Sequence, residues 1–292
     1  MKSNYFKYLL LAPALIIMAA VTVYPLIKSF WISLHEWKLT DSLEIGPFIG
    51  LDNYLRAFST PEFWNSIKVT LTFTFCTVVL VLLLSIAVAL FLSREKRHLS
   101  YIRAILIIPF ALSPALVGIS WRFMLNPEYG LFDHIIGFFI PPLADTVWLG
   151  EPGFAMAALI SVVIWIWLPY MSLMFISGLM AMPKELFEAA KVDGASYFQI
   201  LMHIKIPILK PIILIAAILM TMFTLKQFDP IVTLTHGGPG DSTEVLNYHV
   251  YKTGFRYFDM GYASALGYIL ALITVLFAVA YMRKLVKGEG WK

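Results

Sequence analysis

Long apolar runs alternate with short polar connections along this chain. Six runs reach the roughly 20 residues that a helix needs to cross a bilayer. They fall at about 8–32, 67–92, 102–125, 154–180, 211–233 and 263–281. The pattern predicts an all-α integral membrane protein with six transmembrane helices, a single transmembrane domain over residues 1–292. A cleaved leader is the competing reading of the first run. Its apolar core is too long for that, and no small-x-small cleavage site follows it. No solenoid repeat, low-complexity segment or soluble domain interrupts the alternation.

One connection, 181–210, is long, polar and patterned. Pro183 suits the first turn of a helix, where no amide donor is needed. Leu186, Phe187 and Ala190 then share one helical face. Gly194 can take the positive φ that ends the helix. Ser196 followed by Gln199 fits a capping box that opens a second helix, and Pro207 and Pro211 mark its far end. The expectation is a helix, a glycine turn and a second short helix between two spans.

Several spans carry prolines: Pro25, Pro109, Pro114, Pro169 and Pro230. Each frees a backbone carbonyl, which survives only against protein or a wet cavity. Ordinary kinks and broken helices lining a path are both compatible with them.

Composition agrees with a membrane solvent. The chain is 60% hydrophobic and 14% charged, where a soluble domain carries about 25% charged residues. The net charge of +4 does not point to nucleic acid, because the basic residues collect in alternate short connections. Lys2 and Lys7 precede the first span. Arg94, Lys96, Arg97 and Arg103 follow the second. Lys184, Lys191, Lys205 and Lys210 follow the fourth, and Arg283, Lys284, Lys287 and Lys292 close the chain. The first connection sets Lys38 and Arg56 against five acidic residues, the third has only acidic ones, and the fifth has Lys252 and Arg256. Cationic flanks stay inside, so both termini and the 181–210 loop are expected in the cytoplasm. The single cysteine, Cys76, lies in an apolar run and can form no intramolecular disulfide. Trp31, Trp37, Trp64, Trp121 and Trp148 fall near the expected outer interface, the usual place for indole rings.

Catalytic equipment is absent. There is no GxxxxGK[ST] loop to hold ATP, no metal-ligand spacing among the six histidines, and no nucleophile–base arrangement. Few ionisable groups lie within spans. Lys28 and Lys68 can snorkel, and Arg122 is near a span end. Lys226 and Asp229, three residues apart, could form a salt bridge on one helical face or meet a substrate. Met220, Thr224 and Gln227 share a face at i, i+4 and i+7, either to pack a helix or to hydrogen-bond a solute.

The spacing Glu188-Ala189-Ala190, three residues, Gly194, nine residues, Ile204-Lys205-Ile206-Pro207 resembles the EAA loop of ABC-importer permeases, with Ile206 where Leu is usual. Leu234-Thr235-His236-Gly237-Gly238-Pro239, Gly50-Leu51-Asp52-Asn53-Tyr54 and Phe258-Asp259-Met260-Gly261-Tyr262 resemble the carbohydrate branch, in particular the first permease of maltose and glycerol-3-phosphate importers. The likeness covers nearly the whole chain. It implies a type I ABC-importer permease fold in a prokaryotic inner membrane, forming half of the pathway for a sugar or polyol. It implies a homologous second permease, two ATPase subunits that carry the ATP and Mg, an extracytoplasmic binding protein, and no cofactor on this chain. It further implies that Glu188, Ala189, Ala190, Asp193 and Gly194 dock on the ATPase. In the same way, Trp167, Tyr170, Thr224 and Gln227, with Lys226 and Asp229 nearby, would lie about the solute. Read from residues alone, Trp167 and Tyr170 could equally be core. A stand-alone secondary carrier or channel is the alternative function; it would have no use for an ATPase-docking loop, and intramembrane carboxylates to drive it are missing.

Overall fold

The computed structural model describes residues 3–93, 97–141 and 146–288. Of the basic residues that set the expected orientation, Lys2, Arg94, Lys96 and Lys292 lie outside the described residues, as do the side chains of Lys7, Arg97, Lys284 and Lys287.

Helix α1 (Ser3–Met18) passes through a π turn at Ala19–Val23 into α2 (Tyr24–Ser33). Then come α3 (Asp52–Ser59) and the long α4 (Pro61–Leu92). Three pieces follow: α5 (Arg97–Leu106), α6 (Ile108–Ala111) and α7 (Pro114–Met124), with α8 (Leu131–Phe139) after them. Next are α9 (Pro152–Met180), α10 (Lys184–Val192) and α11 (Tyr197–Ile200), the last joined by a π turn at Leu201–Lys205 to α12 (Ile206–Leu225). A π turn at Ile231–Thr235, α13 (Leu246–Tyr251), another π turn at Lys252–Arg256 and α14 (Met260–Gly288) complete the chain. Among the described residues, five helices are long and apolar enough to cross a membrane, or six if one bent pair counts as a span. Among the described residues the only strand-like pairings are two isolated bridges, His35 with Phe48 and Lys38 with Asp259.

The chain divides into two compact units: Met1–Trp64 with His249–Leu272, and Asn65–Tyr248 with Ile273–Lys292. In the first, the buried Asn53 amide donates to the carbonyls of Ser33 (2.9 Å) and His35 (3.0 Å), holding α3 against the end of α2. The Tyr268 hydroxyl donates to the Leu26 carbonyl. In the second unit α9 is the central element. More than half of its apolar window (56%) is buried, and Met171, Phe175, Ile176 and Leu179 pack with Val78, Val81 and Ala89 of α4 and with Leu209, Ala216 and Met220 of α12.

Three elements differ from the sequence expectation. The third span, expected at 102–125, is broken: Leu99–Ala111 and Pro114–Met124 meet at 94°. Leu112 and Ser113 are extended (ψ 149° and 126°); Ser113, directly before Pro114, is driven out of the helical region by the proline ring. The second helix of the 181–210 loop does not stop at Pro207 and Pro211. It runs from Tyr197 through to Leu225, with Pro207 placed just after the π turn at the start of α12 and Pro211 inside it. The π turn just upstream absorbs the change of register. The fifth span therefore ends at Leu225 and not at 233. Lys226 is its C-cap, and the carbonyls freed there take the Asn247 side-chain amide, 2.8 Å from the Lys226 oxygen.

Candidate functional site

The 181–210 loop is a tight helix–turn–helix. Pro183 is the N-cap of α10, extended at ψ 129°, one residue earlier than its expected place in the first turn. Gly194 has φ +78°, a conformation that costs an L-residue roughly 1–2 kcal/mol. The turn closes with Ala195 N–H donating to the Ala190 carbonyl at 2.9 Å. Ser196 then caps α11: its hydroxyl accepts from Gln199 N–H, and the Gln199 side chain accepts from Ser196 N–H, the reciprocal capping box.

Two contacts fix α10 in place. Phe187 packs against the α4/α9/α12 core. The Lys205 ammonium lies 5.5 Å from the Phe187 ring centre and 5.6 Å from that of Tyr197, within cation–π range of both. With Phe187 turned inward, Glu188, Ala189, Asp193 and Gly194 face solvent, Ala190 is half-buried, and no residue of α10 is buried. Val192 is 87% exposed, with Tyr197 and Phe198 also bare. An exposed acidic, small and apolar surface on a braced helix suits insertion into a partner's cleft.

A second cluster forms where the third span breaks. Phe110, one residue before Ala111 at the break, stacks on Tyr170 of α9 (ring centres 4.9 Å apart, planes 18° apart) and meets Trp167 edge-on at 5.5 Å. Trp167 in turn stacks on Phe223 of α12 at 4.3 Å. Phe110, Tyr170 and Phe223 each keep more than a third of their surface exposed (36%, 36% and 40%). Three helices thus present one aromatic face. Trp167 and Tyr170 were legible as site candidates; Phe110 and Phe223 were not. The proline pair at 109 and 114 was the available signal for Phe110.

The polar candidates lie elsewhere. Met220 and Thr224 are buried, while Phe223, on the same helix, keeps 40% of its surface exposed. The Thr224 hydroxyl donates to the Met220 carbonyl of its own helix at 2.8 Å. Gln227 is buried beyond the helix end. Lys226 and Asp229 are exposed. Of the two readings of Lys226 and Asp229, the salt bridge on one helical face is not made, because the helix that would align the two side chains has already stopped at Leu225.

The Gly-Gly-Pro segment is a compact turn. Gly237 and Gly240 have positive φ, and Gly238–Pro239 is cis. The Thr243 hydroxyl lies 2.8 Å from both the Thr235 hydroxyl and the Gly238 carbonyl. Arg122 of α7 hydrogen-bonds His236 in this turn.

Apolar spans, a broken helix carrying an exposed aromatic face, and a braced polar helix–turn define a subunit of a membrane transport pathway. The chain belongs to the family of binding-protein-dependent transport system inner membrane components, whose model matches residues 9–287. It is 36% identical to the trehalose/maltose transport system permease protein MalF of Thermococcus litoralis, over 94% of this chain and 92% of that one. It is 33% identical to the sulfoquinovosyl glycerol transport system permease protein SmoG of Agrobacterium fabrum, over 94% and 88%. Its fold matches a chain of a bacterial ABC transporter that imports the acidic polysaccharide alginate, with a TM-score of 0.85, 21% identity and coverage of 98% and 96%.

Proposed function

We propose that this chain forms half of the membrane pathway of an ATP-driven importer of sugars or related polyols. The observation that carries the reading is the braced α10–turn–α11 unit joined directly to a span. A charged, solvent-facing helix held by its own core contact is built to be pushed by a separate protein. Glu188 supplies a charge for a basic residue in an ATPase cleft, Ala189 and Ala190 keep the helix slim, Asp193 adds a second acidic contact, and Gly194 allows the turn. ATP and Mg belong to two such ATPase subunits. A homologous second permease completes the pathway, and an extracytoplasmic binding protein delivers the solute. Both termini and this loop lie in the cytoplasm.

The aromatic face of Phe110, Trp167, Tyr170 and Phe223 supports the carbohydrate class, because sugar rings present apolar C–H faces that stack on aromatics. Relatives named for trehalose/maltose and sulfoquinovosyl glycerol transport support the same class. Tyr170 and Trp167 are the solute contacts. Thr224 and Gln227, both buried, support the wall, and Lys226 and Asp229 line the exposed rim at the end of α12.

The test is uptake of labelled sugars, polyols and glycerol-3-phosphate by the reconstituted complex, with and without ATP and binding protein. Uptake that needs both is the expected result. Uptake that proceeds without ATP would replace this reading with a secondary carrier.

A further inference from the structure

We infer a second, outer solute subsite in the unit built from residues 1–64 and 249–272, one that takes a single neutral hydroxylated ring. It rests on the sugar reading proposed above. The site is a cavity of about 430 Å³, within the roughly 300–1,000 Å³ typical of small-molecule pockets. It lies between the first and fifth connections, which the proposed topology puts on the outer face.

Its floor is preorganised. Asp259 is 6% exposed, and its carboxylate accepts from Arg56 Nη1 at 2.7 Å and from the Tyr262 amide at 3.2 Å. The Arg56 guanidinium lies over the Tyr262 ring, 4.0 Å from its centre. The carboxylate, the cation and the ring thus hold one another in place. Lys38 joins the same frame through its backbone bridge to Asp259.

The floor also holds a buried hydroxyl without a well-formed hydrogen bond. Tyr262 is 4% exposed, and its hydroxyl makes no hydrogen bond of ordinary geometry. The neighbouring Thr60 hydroxyl donates instead to the Arg56 carbonyl at 2.6 Å. A buried hydroxyl in a polar cleft needs a partner, and a ligand oxygen can provide it.

The rim selects the chemistry. Lys38 and Arg56 donate, while Asp41 and Glu62 accept. A sugar hydroxyl does both at once. With two cations against three carboxylates (Asp41, Glu62 and Asp259), the formal charge is 2 − 3 = −1 with His249 neutral. That charge opposes a phosphorylated or carboxylated solute and leaves a neutral one. Tyr257, 58% exposed at the edge, offers a ring to stack on.

The test uses the assembled importer in lipid nanodiscs without binding protein. Equilibrium binding of radiolabelled trehalose and maltose is measured beside ATP-driven uptake of the same sugars by the complete system. Two variants address the outer subsite: Asp41→Asn with Glu62→Gln, both at exposed positions, and Tyr262→Phe. Tyr170→Ala addresses the aromatic face. The expected result is about a tenfold loss of affinity in one class of sites for both outer variants, with that class intact in Tyr170→Ala. Unchanged affinity and stoichiometry in both outer variants, with uptake intact, overturns the subsite and leaves the sugar reading standing. Outer-site binding without uptake overturns the transport reading and keeps the subsite. Absence of both binding and uptake overturns the two together.

Discussion

Trp167 and Phe223 stack with ring centres 4.3 Å apart and planes 23° apart, joining α9 to α12 beside the break in the third span. Neither ring is needed there for length or apolarity; a leucine would satisfy the bilayer equally. The pair is worth about 0.5–1.5 kcal/mol beyond its buried area. Trp167→Ala or Phe223→Ala is expected to raise the KM for sugar uptake about 3- to 10-fold, with the ATPase rate of the resting complex unchanged. Uptake kinetics on proteoliposomes check this. Equal losses with Trp167→Leu and Trp167→Phe would point to packing alone.

The helix–turn of the 181–210 loop carries a separate prediction. A Cβ at Gly194 would meet nothing within 4 Å, so the position is constrained by φ alone. Gly194→Ala should cost about 1–2 kcal/mol, confined to the turn. Glu188→Ala should cost no stability, because Glu188 is exposed. Both should abolish uptake while the permease still folds and inserts. Co-purification of the ATPase, lost in each variant, is the direct readout, and normal uptake by either sinks the docking role.

Lys205 braces α10 and α11 through the rings of Phe187 and Tyr197. Such contacts are worth about 0.5–1 kcal/mol at exposed sites. Lys205→Gln is expected to uncouple partially, with ATP consumed per sugar imported rising severalfold, and Lys205→Arg should restore the ratio. Stoichiometry measured in proteoliposomes distinguishes this from simple unfolding, which would lower both quantities.

Gly118 of α7 faces the π turn at Ile231–Thr235. A Cβ there would overlap the Thr233 hydroxyl and crowd the Pro230 backbone. Overpacking of this kind costs about 1–3 kcal/mol. Gly118→Ala should lower the thermal stability of the purified protein, and Gly118→Leu should lower it further. A double variant with Thr233→Ser should not rescue Gly118→Ala, since the Thr233 oxygen remains.

Span existence was legible because a bilayer demands length and apolarity, which are local properties. The capping box at Ser196–Gln199 and the turn at Gly194 were legible for the same reason, since each is decided within five residues. The break at Leu112–Ser113 was half-visible: Pro109 and Pro114 marked a place, but not an angle. The end of α12 was hidden. Lys226, Gln227, Asp229 and Pro230 interrupt the apolar run, and Pro230 cannot supply a donor to the Lys226 carbonyl, but the Asn247 amide that takes this carbonyl instead lies 21 residues away and leaves no local mark. The face of α12 was hidden too. Met220 and Thr224 look outward on a helical wheel only until the core of α4 and α9 claims them. The rings of Phe110 and Phe223 join the site through contacts between helices, which no spacing along the chain records.

The continuity of Tyr197–Leu225 sets a mechanical scale. Its 29 residues make a rod about 43 Å long at 1.5 Å per residue. A tilt of 10° about one end would sweep the other by roughly 7 Å, more than one helical turn. Because no slack loop separates Ser196 from Phe223, a displacement at the capped end is not dissipated on the way. The compliant points are the π turn at Leu201–Lys205 and Pro211 inside α12, both in the half of the rod nearer the capped end. Stiffness along this single rod, rather than affinity at either tip, then limits how much stroke the aromatic face receives.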